Sequence, residues 1–172
     1  APTGKAAARL KQAIDDGRFG QVYAASFRRV VNHPGGPFYQ DGERCGGAVL
    51  DLHIHDTDFV QYLFGMPRAV YSHGAPAPER GLAHIVTRYC YDDEKLVGAE
   101  GGWAMMPAFG FEMRFHIALE RATIAFDFHR KPTLRLCPAE GEATSPECAE
   151  GDGYSRQIAH FAARVRGEDV AP

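Results

Sequence analysis

The sequence predicts an α+β fold built as one large, mostly antiparallel, open β-sheet with helices packed on one face. Three observations carry this. After Pro67 the apolar period changes from helical to two and stays there through six successive segments. No helical stretch interrupts those segments, so hairpins rather than βαβ crossovers must join them. Helical spacing is confined to the start of the chain, to the stretch before Pro67 and to its last part. A chain of 172 residues is the size of one ordinary domain and long enough to bury a core.

Taken in order, Lys5 to Asp16 repeats Ala6, Leu10, Ala13 and Ile14 at helical spacing and stops at Gly17, where a C-terminal glycine belongs. Gln21 to Val31 reads as a strand with Val22, Ala24, Ser26, Arg28 and Val30 on one face. Asn32 to Gly47, rich in Gly and Pro, reads as a loop. A second helix is expected from Gly46 to Phe64, closed by Gly65 and Pro67, with Leu52, Phe59, Val60 and Leu63 as its buried stripe. The strands follow: Ala69 to His73, His84 to Tyr91, Lys95 to Met105, Glu112 to Leu119, Thr123 to Phe128 and Thr133 to Cys137. Ala139 to Gly153 is an acidic surface loop, and Tyr154 to Arg166 a short amphipathic helix with Ile158, Phe161 and Val165 facing inward.

Composition narrows the function. A formal net charge of −3 argues against nucleic acid as the main partner, because a phosphate-binding surface shows as a basic excess. No long uninterrupted apolar run suggests a membrane span, and Ala1 to Gly17 lacks the apolar centre of a secretory leader. Cys45, Cys90, Cys137 and Cys148 are widely separated and form no C-x-x-C pair, which argues against structural zinc and a disulfide framework and suggests a reducing cytoplasm.

Chemistry concentrates in Asp51, His53, His55, Asp56 and Asp58. On a helix, Asp51 and His55 are i and i+4 and leave consecutive turns in the same direction. An imidazole beside a carboxylate suits proton abstraction from an alcohol: the ring accepts the proton, and the carboxylate orients it or the substrate. The simpler reading is that Asp51 only complements a helix dipole and that the histidine is a scaffold residue. On a strand, His53 and His55 would share a face instead, and Asp51-x-His53-x-His55 would fit the opening of a metal-dependent hydrolase site. That fold is a longer barrel with further ligands, which the later histidines do not supply.

The run Gly46-Gly47-x-x-x-Asp51-x-x-x-His55-Asp56-x-Asp58, followed by Phe59-Val60-Gln61-Tyr62-Leu63-Phe64-Gly65-Met66-Pro67, resembles the C-terminal domain of the glucose–fructose oxidoreductase / inositol dehydrogenase (Gfo/Idh/MocA) family. Ala7 to Arg28 resembles the entry to that domain, and Glu112 to Asp127 its late strands. The resemblance implies residues 1–172 as a C-terminal substrate-binding and oligomerisation domain of a two-domain NAD- or NADP-dependent oxidoreductase. It implies hydride transfer on a sugar, inositol or related polyol, with His55 as acid/base. Tyr39, Asp51 and His55 are the positions expected to meet substrate. It also implies a homo-oligomer formed through the sheet. Neither G-x-G-x-x-G nor Glu-Lys-Pro occurs in the sequence, so the nucleotide-binding domain is expected outside it and the isolated chain is expected to be inactive. A non-catalytic dimerisation module is the remaining alternative.

Other polar residues are expected in lesser roles: Arg29, Asn32 and His33 as loop residues with local hydrogen bonds, Trp103 in a core or subunit interface, and His116 as a packed or interface histidine. Asp127, His129, Arg130 and Lys131 are expected as a solvated strand end.

Overall fold

The computed structural model describes residues 5–146 and 153–168. Helix α1 (Lys5–Asp15) buries Ala6 and Leu10 and ends where Gly17 turns left-handed at φ 60°, its N–H closing on Ile14 O at 3.1 Å. Strand β1 (Val22–Asn32) follows, then the short helices α2 (Gly36–Gln40) and α3 (Gly42–Cys45) inside the segment expected to be loop. The helix expected from Gly46 is divided: a π-helical turn, Val49–His53, leads into α4 (Ile54–Phe64). The strands are β2 (Ala69–Ala77), β3 (Gly81–Cys90), β4 (Leu96–Met105), β5 (Glu112–Leu119), β6 (Ala122–Asp127) and β7 (Leu134–Pro138), and helix α5 (Gly153–Val165) closes the chain.

The seven strands form one sheet in the order β2-β3-β4-β1-β5-β6-β7. It is an open, mostly antiparallel sheet, as the uninterrupted strand run predicts, with one correction. The run is two meanders rather than one. Strand β1 lies between β4 and β5, parallel to β4 and antiparallel to β5. A strand from the start of the chain thus occupies the centre, where both its edges are satisfied.

Alternation along the strands divides the sheet into a covered and an open face. Ala25, Phe27 and Arg29 of β1, Val97 and Ala99 of β4, and Phe115 and Ile117 of β5 are buried on the covered face. Phe59, Val60 and Leu63 of α4 pack down on them, as the predicted stripe requires; Leu52 is only half-buried. Phe27 meets Phe59 edge-on at 6.1 Å and lies tilted against Phe115 at 5.5 Å. Arg29 is no loop residue. Its Nε and Nη2 donate to Asp56 Oδ2 and Oδ1 at 2.9 and 3.1 Å, a buried two-pronged pair that fastens α4 to β1.

The expected inward stripe of α5 is wrong: Ile158, Phe161 and Val165 are 68, 68 and 70 % exposed, while Ala163 is buried. Periodicity identifies side chains that share a face; it does not establish that a surface within the same chain covers them. The acidic loop turns back through a bridge between Leu136 and Thr144, and its residues 147–152, with Cys148, lie outside the described residues.

Candidate functional site

The site is built where the C-terminal ends of β1 and β4 meet the π-helical turn. Asp41 caps α3 by accepting the Arg44 N–H at 3.1 Å, and Gly46 ends that helix in a left-handed conformation. A Cβ on Gly42 would lie 2.3 Å from Gly81 N, and one on Gly47 3.1 Å from Arg80 O, so these glycines let the segment lie against the β2–β3 turn. The chain then re-enters helix at Ala48 and takes one turn in the wider π register.

A second close approach sets the height of that turn above the sheet. A Cβ on Gly101 would come within 2.9 Å of His53 Nδ1 and 3.2 Å of His53 Cβ. The absence of a side chain there lets His53 rest on the backbone of β4. His53 Nε2 is hydrogen-bonded to Thr87 Oγ1 at 2.8 Å, and Thr87 in turn to Ser72 Oγ at 2.9 Å. His53 Nδ1 is buried without a partner. Burial lowers the His53 pKa from the ordinary histidine value, with Asp56 opposing this and His84 adding to it.

Two positions before His53, Asp51 reaches the sheet; two positions after Gly101, Trp103 rises to meet it. The Trp103 indole N–H donates to Asp51 Oδ2 at 3.2 Å. Trp103 is 3 % exposed and is held edge-on by His33, with ring centroids 5.0 Å apart, and by Tyr39 at 5.8 Å. His33 is fixed in turn: its Nδ1 accepts the Gly35 N–H at 3.0 Å and its Nε2 donates to Tyr39 O at 3.1 Å. His33 therefore makes the expected local hydrogen bonds and also walls Trp103.

Of the predicted residues, Tyr39 and Asp51 are both brought to Trp103, the tyrosine to its ring and the aspartate to its indole N–H. His55 lies on the exposed side of α4, and no hydrogen bond joins it to Asp51 among the described residues. Leu50 and Ile54, 60 and 46 % exposed, precede it in the chain. The segment is helical rather than extended, with His53 buried against the sheet and His55 outside. The two imidazoles do not share a face as a strand-borne metal pair would. Among the described residues no group of three or more His, Cys, Asp and Glu side chains is placed to hold a metal ion, and no helix is long and apolar enough to cross a membrane.

Trp103 is the member of this cluster that sequence reasoning did not connect to Asp51. Its apolar neighbours on β4 pointed to core, and it is core; a buried indole N–H, however, needs an acceptor, and that requirement was the available signal.

The open face carries polar side chains in register. Arg28 donates through Nε to Glu112 at 2.6 Å and through Nη1 to Glu100 at 2.8 Å, and His84 Nε2 lies 2.9 Å from Glu100. Cross-strand neighbours continue the row through Arg114 to Asp127. His116 is exposed on this face, not packed. Asp127 is less solvated than expected: its carboxylate accepts the His129 N–H at 3.0 Å.

Residues 7–125 match a family described as GFO/IDH/MocA C-terminal domain. No curated protein matches. Among solved structures, levoglucosan dehydrogenase in complex with NADH and levoglucosan superposes with a TM-score of 0.74 at 18% identity, over 95% of this chain and 54% of that one. The WlbA dehydrogenase from Bordetella pertussis, in complex with NADH and UDP-GlcNAcA, gives 0.76 at 17% identity, over 98% and 52%. The UDP-N-acetylglucosamine 3-dehydrogenase GnnA from Acidithiobacillus ferrooxidans gives 0.68 at 19%, over 94% and 50%. The fold is the same, and the chain spans about half the length of these structures.

Proposed function

The chain belongs to the GFO/IDH/MocA family through its C-terminal domain, and from that premise we propose that it is the substrate-binding and oligomerisation half of an NAD(P)-dependent oxidoreductase acting on a sugar, inositol or related polyol. In this reading residues 1–172 are one domain of a cytoplasmic enzyme, and a nucleotide-binding domain completes the active site. The relatives solved with NADH and levoglucosan or UDP-GlcNAcA support the cofactor and the substrate class.

The observation that carries the reading is the Asp51 carboxylate anchored on Trp103 one helical turn before an exposed histidine. His55 takes the hydroxyl proton of an alcohol substrate, or returns it in reduction, without having to break a hydrogen bond within the described structure. Asp51 holds a substrate hydroxyl by its free oxygen and offsets the charge that forms on the imidazole. Tyr39 borders the same position. With no G-x-G-x-x-G in the sequence, this chain's residues fit only one wall of a cofactor site, where Leu50 and Ile54 offer exposed apolar surface beside His55. When bound, the nicotinamide supplies the hydride exchange with the substrate carbon.

The test is made in the full-length enzyme, following NAD(P)H absorbance with a panel of sugars, inositols and nucleotide sugars. His55→Ala lowers kcat by roughly a hundredfold or more, the span of general acid–base catalysis, with the Kd for NAD(P)H nearly unchanged. A wild-type rate in that variant removes His55 from the mechanism.

The oligomer is proposed to form through the open face, whose charged row offers carboxylates and guanidinium groups to a second copy. Light scattering at micromolar concentration should give a mass above that of the monomer. A monomeric mass throughout refutes the interface.

A further inference from the structure

We propose that Trp103 is a positioning residue that fixes the orientation in which the Asp51 carboxylate faces substrate, and that His33 and Tyr39 act by clasping Trp103. This rests on the reading of Asp51 as a substrate-facing group. A carboxylate has a broad, roughly two-fold torsion about its last bond, so an aspartate with no hydrogen bond presents either oxygen in a range of orientations. Here the indole N–H engages Oδ2 at 3.2 Å, and no further hydrogen bond to Asp51 occurs among the described residues. One oxygen is held, and Oδ1 remains for a ligand.

Three features make the donor rigid. The ring is nine-tenths and more buried and meets His33 and Tyr39 edge-on at 79° and 89°. His33 meets its two backbone partners with one neutral tautomer, so the clasp is itself fixed. Immediately after Trp103 the β1–β4 register slips, Asn32 pairing with both Ala104 and Met105, an irregularity of the kind that re-aims a side chain at the end of a strand. Gly101 and Trp103 lie on the same face of β4. The close contact of His53 on Gly101 holds the turn that carries Asp51 against the strand that carries Trp103.

Two measurements decide this. In the full-length enzyme, Trp103→Phe keeps an aromatic ring and loses the donor. It should lower kcat roughly tenfold, the scale of one hydrogen bond to a charged group, while the Kd for NAD(P)H holds. In an Asp51→Ala background the same substitution should cost nothing further, because both changes remove one interaction. A wild-type kcat for Trp103→Phe, or losses that simply multiply, overturns the proposal. Should Trp103→Phe fail to fold, β-(3-benzothienyl)alanine at this position keeps the bicyclic shape without the N–H and must give the same loss.

The second measurement does not depend on activity. Trp103 is the single tryptophan of these 172 residues, and in the full-length enzyme its indole N–H resonance is identified by its absence in Trp103→Phe. That resonance should move as Asp51 is protonated, and the movement should vanish in Asp51→Asn. A resonance indifferent to both overturns the proposal. If Asp51→Ala leaves turnover intact while the resonance still follows Asp51, the hydrogen bond stands and the catalytic reading of Asp51 is what fails.

Discussion

Arg28 and Arg29 are neighbours in β1, point to opposite faces of the sheet and both end on carboxylates, yet they do different work. Arg29 is buried with Asp56 and joins a helix to the sheet. Arg28 is partly exposed between Glu100 and Glu112 and joins only strands that the backbone ladder already pairs. The histidines beside Gly101 and Gly102 repeat the contrast. His53 rests on the covered face, where burial disfavours its charge; His84 lies on the open face against Glu100. Alternation along β1 and β4 thus sorts like residues into buried scaffold on one side and partly exposed polar side chains on the other. Burial decides what each pair is worth: removing one partner of a buried pair strands a charge, whereas an exposed pair is screened by water.

Asp56→Ala gives the largest effect. It leaves the Arg29 guanidinium buried without its partner and should cost about 3–5 kcal/mol in denaturant unfolding, against a much smaller loss for the Arg28 partners. A cost below about 1 kcal/mol would erase the distinction between the faces. Next, Gly101→Ala drives a methyl group into His53 and should cost about 1–3 kcal/mol, the range for overpacking a close contact. It should also shift the Trp103 fluorescence, since the π-helical turn must lift.

A pH effect follows from the burial of His53. The folded-state pKa of His53 is lowered, so the unfolded chain binds a proton more readily than the folded one. Stability is therefore full above about 6.5, the unfolded value, and declines as pH falls from there toward the lower folded value. With Nε2 engaged by Thr87, a proton on Nδ1 would be a buried donor without an acceptor, which acts in the same direction. Melting temperatures followed downward from neutral pH should fall more steeply in the wild type than in His53→Gln; parallel curves would exclude His53 as the cause.

The smallest effect belongs to the open face. Glu112→Gln should cost about 0.5–1 kcal/mol in the monomer. A loss that grows with protein concentration would sharpen the comparison, because it would mean that a second copy buries this pair too.

What the sequence determined by itself was the class of fold and the helical segment on which the site is proposed to lie. Six alternating segments without intervening helices could only make a largely antiparallel sheet, because period and connection length are local properties. The stripe Phe59, Val60 and Leu63 was legible for the same reason, and so was the segment that carries Asp51 and His55. Tertiary structure decided the rest. The insertion of β1 beside β4 joins residues far apart in sequence, and periodicity carries no information on pairing partners. The π-helical turn follows from His53 seating on Gly101, a contact between the turn and a strand formed well after it. The outward face of α5 shows the limit from the other side: a helical stripe names the residues to be covered, and only three dimensions show whether anything covers them. Trp103 makes the point at the site itself. Its composition spoke for burial, but its partner lies fifty-two residues earlier in the chain, and the fold alone brings the indole to the carboxylate.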